Sequence, residues 1–287
     1  MQTPPVPLLG PAEIRRLAGE LGIRPAKSRG QNFLHDANTV RRIVRLADVG
    51  PGSRVLEVGP GLGSLTLGLL DAGAEVLAVE LDRGLAEALP GTVARHQGDA
   101  VRRLHVLHAD AMRVTEQASG AAPEVLVANL PYNVAVPLLL HVLAAMPSVA
   151  RGVVMVQREV ADRLTAPPGG RVYGAPTVKL AWFARATYEG PVGRRVFWPE
   201  PRVDSALVAF RRVRDSGDEP DFRDRISALV DAAFAQRRKT LRAALSGALG
   251  GPTHAEAVLR RAGIDPGLRG EALGLEDYIR LAAAAAE

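Results

Sequence analysis

Short β-branched hydrophobic runs alternate with longer stretches of helical spacing through the middle of this chain. That alternation predicts a mostly parallel sheet with helices on both faces. Strands are expected at Arg54–Val58, Glu75–Glu80, His105–Ala109, Val125–Ala128 and Gly152–Val156. Helices are expected at Ser64–Ala72, Arg83–Leu89, Ala135–Ala145 and Arg158–Leu164. Two later strand-like runs, Ala181–Tyr188 and Ser205–Arg211, follow a Pro/Gly-rich loop at Pro167–Gly174 and predict an antiparallel hairpin on the sheet edge. The polar stretch Asp215–Pro220 reads as a linker. From Asp221 to Glu287 the chain turns Ala- and Leu-rich with no convincing strand, which predicts roughly three to five short helices. The fold class is therefore α/β, with a Rossmann-like domain over residues 1–213 and a small all-α domain over residues 214–287.

Composition narrows the chemistry. The 287 residues include no cysteine, which excludes disulfides, thiolate zinc sites and a cysteine nucleophile. His105 and His108 fall on opposite faces of a strand and make a poor metal pair, so no metal is expected. The start, Met1–Leu8, has three prolines and no basic n-region, and the apolar stretch Val125–Met146 is interrupted by Asn129, Pro131, Asn133, Pro137 and His141. Neither a signal peptide nor a membrane span is expected, which points to the cytoplasm. Lys and Arg exceed Asp and Glu by 36 to 31, and the excess sits in residues 1–54, with nine basic and four acidic residues. A basic flank of this kind suits a polyanion, and equally a solvated helix face.

Candidate chemistry begins at Val55-Leu-Glu-Val-Gly-Pro-Gly-Leu-Gly-Ser-Leu-Thr66, a hydrophobic strand entering a glycine-rich turn and a helix. Gly59, Gly61 and Gly63 let a ligand approach the backbone, and the helix amides beyond them can donate to it. Glu80 ends the second strand, where an acidic side chain accepts from the two ribose hydroxyls of a nucleoside. A dinucleotide and S-adenosylmethionine share this geometry. Ser64 stands where the dinucleotide pattern wants Gly or Ala, and Glu57 suits the acidic strand end of methyltransferases, so S-adenosylmethionine is favoured. A dinucleotide-dependent oxidoreductase is the alternative. Asp110, next to Ala111, ends the third strand and can accept from an adenine amine, or else cap a helix.

Asn129-Leu-Pro-Tyr132 follows the fourth strand and is the most specific signal in the chain. An amine conjugated to a planar ring is a poor nucleophile because its lone pair is delocalised. The Asn129 side-chain oxygen and the Leu130 carbonyl can each accept one amine hydrogen and so direct that lone pair. Pro131 stiffens the turn and offers no donor, and Tyr132 can stack on the base.

With these segments in place the chain resembles the ribosomal RNA adenine dimethyltransferases, from about Pro25 to Asp277. The resemblance extends to Gln31-Asn-Phe-Leu34, Gln157-Arg-Glu-Val-Ala161, Tyr173-Gly174, Val196–Ser205, and Phe234 with Gln236-Arg-Arg-Lys-Thr-Leu241. It implies S-adenosylmethionine as cofactor, held by Asn32, Leu34, Gly59, Gly61, Gly63, Glu80, Asp110, Ala111 and Asn129. It implies Phe197 as the second face of an aromatic clamp opposite Tyr132, with Trp198 as its rival. Arg237, Arg238, Lys239 and Arg242 are implied as RNA contacts on a helix, where a solvated face is the plain alternative. The implied reaction is N6-dimethylation of two adjacent adenines in the 3′-terminal hairpin of 16S rRNA, by a monomer acting on the small ribosomal subunit. A large-subunit 23S rRNA methyltransferase and a non-catalytic assembly factor are the competing functions.

Overall fold

The alternating runs assemble into one seven-stranded sheet in a computed structural model of the protein, which describes residues 8–23, 31–213 and 220–286. In chain order the first elements are α1 (Pro11–Glu20), β1 (Phe33–Leu34), α2 (Ala37–Leu46), β2 (Arg54–Val58), α3 (Ser64–Asp71) and β3 (Glu75–Glu80). There follow α4 (Arg83–Gln97), β4 (Leu104–His108), α5 (Glu116–Ser119), β5 (Val125–Asn129), α6 (Ala135–Ala145), β6 (Arg151–Gln157) and α7 (Arg158–Leu164). Then come α8 (Ala175–Phe183), β7 (Ala184–Val192), β8 (Phe197–Trp198) and β9 (Ser205–Arg212). The helices α9 (Pro220–Ala235), α10 (Leu241–Ala244), α11 (Pro252–Arg261) and α12 (Leu275–Ala284) complete the chain. The start Met1–Pro7, Pro25 and the expected linker residues Asp215–Glu219 lie outside the described residues.

The sheet runs β4-β3-β2-β5-β6-β9-β7. Strands β4, β3, β2, β5 and β6 are parallel, and β9 is antiparallel to β6. Val55, Val76, Val125 and Val153 are each no more than 1% exposed, as expected for strands buried on both faces. Strand order reverses about β2, which has β3 on one side and β5 on the other. In an open α/β sheet the crevice beyond the strands' carboxyl ends at such a point is where ligands bind.

Three expectations are corrected. The helix foreseen to stop at Leu89 runs through Pro90 to Gln97, because Leu89, Thr92 and Val93 continue its buried face. Ala181–Phe183 closes α8 and is not strand; its aromatic residues Trp182 and Phe183 are buried helix positions. The two late strands do meet at the sheet edge, β9 lying between β6 and β7, and the Gly193–Asp204 connection between them includes β8, which pairs with β1. Arg237–Lys239 lies outside α9, in a turn closed by Lys239 N donating to Gln236 O at 2.8 Å.

The chain divides into two compact units, Met1–Ala161 with Thr187–Arg212, and Asp162–Ala186 with Val213–Glu287. The segment 162–186 thus groups with the C-terminal helices, although it precedes the boundary expected after residue 213. Within that second unit Tyr278 is fully buried and donates to Gly270 O at 3.1 Å, while Tyr173 donates to Leu273 O at 2.8 Å. Trp182 meets Phe222 edge-on with centroids 6.3 Å apart. No helix of the described residues is long and apolar enough to cross a membrane.

Candidate active site

Two chain segments leave the sheet side by side, one after β2 and one after β5, and a cleft opens between them. Gln31, Asn32, Phe33, Gly59, Gly61, Glu80, Leu85, Asn129, Leu130, Pro131 and Tyr132 line it. The floor depends on glycine at position 61. Its φ is +58°, and a Cβ there would lie 3.0 Å from the Phe33 ring. A side chain would therefore be both strained and in the way.

Glu80 ends β3 with 7% exposure, and its carboxylate accepts from Asp82 N at 2.9 Å and Gly61 N at 3.1 Å. Burial raises its pKa, against those two backbone donors. Asp82 in turn caps α4 by accepting from Gly84 N at 3.0 Å and Leu85 N at 3.3 Å, which brings Leu85 to the cleft. Glu57 sits below, 1% exposed, accepting from Thr66 Oγ1 at 2.7 Å. Its pKa is pushed up to about 8 by burial, with the Glu80 charge adding to the rise and Thr66 opposing it. Ser64, which argued against a dinucleotide, donates to the Leu34 carbonyl and ties the β1 segment to α3.

The Asn129–Tyr132 turn is held from three directions. Leu130 N donates to Met155 O at 3.0 Å, anchoring the turn to β6. Asn129 Nδ2 donates to Asn32 O at 3.2 Å, which leaves Oδ1 as the acceptor end of the amide. The Tyr132 hydroxyl shares a 2.7 Å hydrogen bond with Ser205 Oγ. Burial lifts the Tyr132 phenol above its ordinary value, against that hydrogen bond, so the ring is neutral at physiological pH.

The cleft thus brings together Asn32, Gly59, Gly61, Glu80, Asn129, Leu130, Pro131 and Tyr132. Five expected residues do not line it. Leu34 is 4% exposed in the core, and Gly63 is the N-cap of α3. Asp110 accepts from Met112 N at 3.0 Å in a local turn, and Ala111 lies within that turn. Phe197 is 3% exposed, paired with Leu34 across the β1–β8 ladder; its neighbour Trp198 stacks on Phe33 at 6.4 Å. Conversely, Gln31, Phe33 and Leu85 were not singled out. Gln31 and Phe33 sit inside the quoted N-terminal motif, whereas nothing in the sequence marks Leu85.

The basic cluster of the second unit splits in two. Arg237 is spent on Glu271 at 2.9 Å and on the Arg171 carbonyl, and Arg242 pairs with Glu256 at 3.1 Å. Arg238 and Lys239 are exposed and, among the described residues, have no ion pair. The described residues contain no group of three or more side chains that could hold a metal.

The family model for ribosomal RNA adenine dimethylase matches residues 24–287. The chain is 59% identical to ribosomal RNA small subunit methyltransferase A of Thermobifida fusca, over 96% of this chain and 95% of that one. It is 57% identical to the protein of the same name from Cutibacterium acnes, over 98% and 95%. Among solved structures, 23S rRNA methyltransferase ErmE matches with a TM-score of 0.64 and 27% identity, over 89% of this chain and all of that one. A dimethyladenosine transferase from Plasmodium falciparum has a TM-score of 0.74 at 24% identity, over 87% and 95%, and shares the fold.

Proposed function

Because the chain belongs to the ribosomal RNA adenine dimethylase family, we propose that it dimethylates the N6 amines of two adjacent adenines in the 3′-terminal hairpin of 16S rRNA. It is an S-adenosylmethionine-dependent methyltransferase, acting as a cytoplasmic monomer on the small ribosomal subunit. The observation that carries this reading is that Glu80 and the Asn129–Tyr132 turn open onto one cleft.

The residues fit the cofactor. A carboxylate 7% exposed on the cleft wall suits a ribose diol, and the space a Cβ at Gly61 would fill suits a close-lying ligand. Asn32, Gly59, Gly61, Glu80 and Asn129 would hold S-adenosylmethionine, which when bound supplies an electrophilic methyl group on its sulfonium. The protein's own work is done on the acceptor amine. With its Nδ2 engaged by Asn32 O, Asn129 presents Oδ1 to one amine hydrogen, and the Leu130 carbonyl takes the other. Both acceptors draw the nitrogen toward a tetrahedral geometry and free its lone pair from the ring. Pro131 has no N–H to compete for the two oxygens. The neutral Tyr132 ring stacks on the extruded base. Arg238 and Lys239 hold the RNA backbone by charge and read no sequence.

Methylation assayed side by side on free rRNA, small subunits and large subunits tests the assignment. We expect two dimethyladenosines per small subunit by mass spectrometry and little product on free rRNA. Methylation confined to large subunits would replace this reading with the 23S one, and no methylation with the assembly-factor one.

A further inference from the structure

We propose that Ser205 is a positioning residue that fixes the plane of the Tyr132 ring for the acceptor base. Its side chain is fully buried, at 0% exposure, and its hydroxyl lies 2.7 Å from the Tyr132 hydroxyl. A buried hydroxyl must find a partner, and here each of the two is the other's. Ser205 is itself held in the sheet. It opens β9 opposite Gln157 of β6, and the next residue beyond each strand is also tied, Arg158 N donating to Asp204 O at 3.0 Å. The tether therefore runs from the sheet ladder to the far end of the ring.

Without that tether the Tyr132 ring turns about its side-chain bonds, and only the part-buried surroundings restrain it. A stacked base would follow the ring, and the amine would drift from the two oxygens that orient it. The effect should fall on the chemical step more than on binding, since orientation and not contact area is lost. It should be greatest for the second methyl transfer, where only one amine hydrogen remains to hold the nitrogen in line.

This inference rests on the proposed reaction, and its test separates the two. Ser205→Ala, Tyr132→Phe and the double variant are assayed on small subunits, with folding checked by thermal melting and S-adenosylmethionine affinity by calorimetry. We expect Ser205→Ala to lower kcat about tenfold, with KM for small subunits and cofactor affinity within about twofold of the parent. Its products should shift from dimethyl- toward monomethyladenosine, a change that a smaller folded fraction cannot produce. The double variant should lose no more than either single one, because both remove the same contact. Unchanged kcat and product ratio in Ser205→Ala, or additive losses in the double variant, would overturn the inference. Failure of the parent protein to methylate RNA would instead overturn the reaction.

Discussion

Replacing Glu57 with Gln should stabilise the protein above pH 6 and flatten its response to pH. Glu57 is 1% exposed, and burial, aided by the Glu80 charge, pushes its carboxyl from 4.5 up to about 8. The folded protein therefore holds this proton more tightly than the unfolded chain. Stability from this group is fully present below pH 4.5 and is lost as pH rises toward 8. At about 1.4 kcal/mol per pH unit, the loss is on the order of 3 kcal/mol by pH 7 and levels off near ~5 kcal/mol above pH 8. Gln has nearly the same shape and keeps an oxygen for the Thr66 hydroxyl, so the variant removes the titration with little change in packing. Urea unfolding of both proteins from pH 5 to pH 9 measures the difference, read by tryptophan fluorescence in a Trp182→Phe background so that Trp198, which stacks on Phe33 in the same unit as Glu57, is the reporter. The advantage of Glu57→Gln should grow from pH 5 to about pH 8 and then level off. A difference constant to within about 0.5 kcal/mol would mean that the buried acid does not titrate as argued.

Three further outcomes are expected. Glu80→Gln should weaken S-adenosylmethionine binding by about tenfold or more in calorimetry, since a neutral amide accepts less strongly from a diol. Arg238→Gln with Lys239→Gln should flatten the salt dependence of RNA binding by about 1.4–1.8 in log–log slope, while Arg237→Gln should act mainly on stability through its Glu271 pair. Phe197→Ala should cost about 3–5 kcal/mol because the ring is 3% exposed, so the clamp is better probed by Phe197→Leu. Normal turnover in Phe197→Leu would remove Phe197 from the base-binding role.

What the sequence conveyed well was whatever local periodicity or short motifs carry. Strands β2, β3, β5 and β6 are largely buried runs rich in Val and Leu, and the glycine-rich turn, Glu80 and Asn129–Tyr132 lie at the ends of β2, β3 and β5. What it conveyed badly depends on partners far along the chain. Pro90 reads as a helix stop, whereas α4 continues because Leu89, Thr92 and Val93 are buried, which the local sequence does not reveal. Trp182 and Phe183 look like strand because bulky residues favour strands, yet burial on α8 outweighs that preference. Asp110 was legible as an acid at a strand end, but not as one already engaged by its own turn. Arg237 and Arg242 were legible as cations, but Glu271 and Glu256, their partners, are not near them in sequence.

The same division runs through the active site. Asn129–Tyr132 is only four residues long, and its chemistry can be read from their types alone. Its geometry cannot, because it is imposed by groups 97 and 73 positions away, the Asn32 carbonyl and the Ser205 hydroxyl. One directs the Asn129 amide and the other the Tyr132 ring. The two controlling segments are joined independently of the motif, since β1 follows Asn32 and pairs with β8 in the connection that leads to Ser205. A shift of that small ladder would move both restraints together. Substitutions at the Phe33–Trp198 stack should therefore disturb the orientation of Asn129 and Tyr132 in concert, lowering kcat and raising the monomethyl share of product. Trp198→Leu is the variant to assay. If its turnover and product ratio match the parent's on small subunits, the two restraints are independent and the coupling through β1 and β8 is refuted.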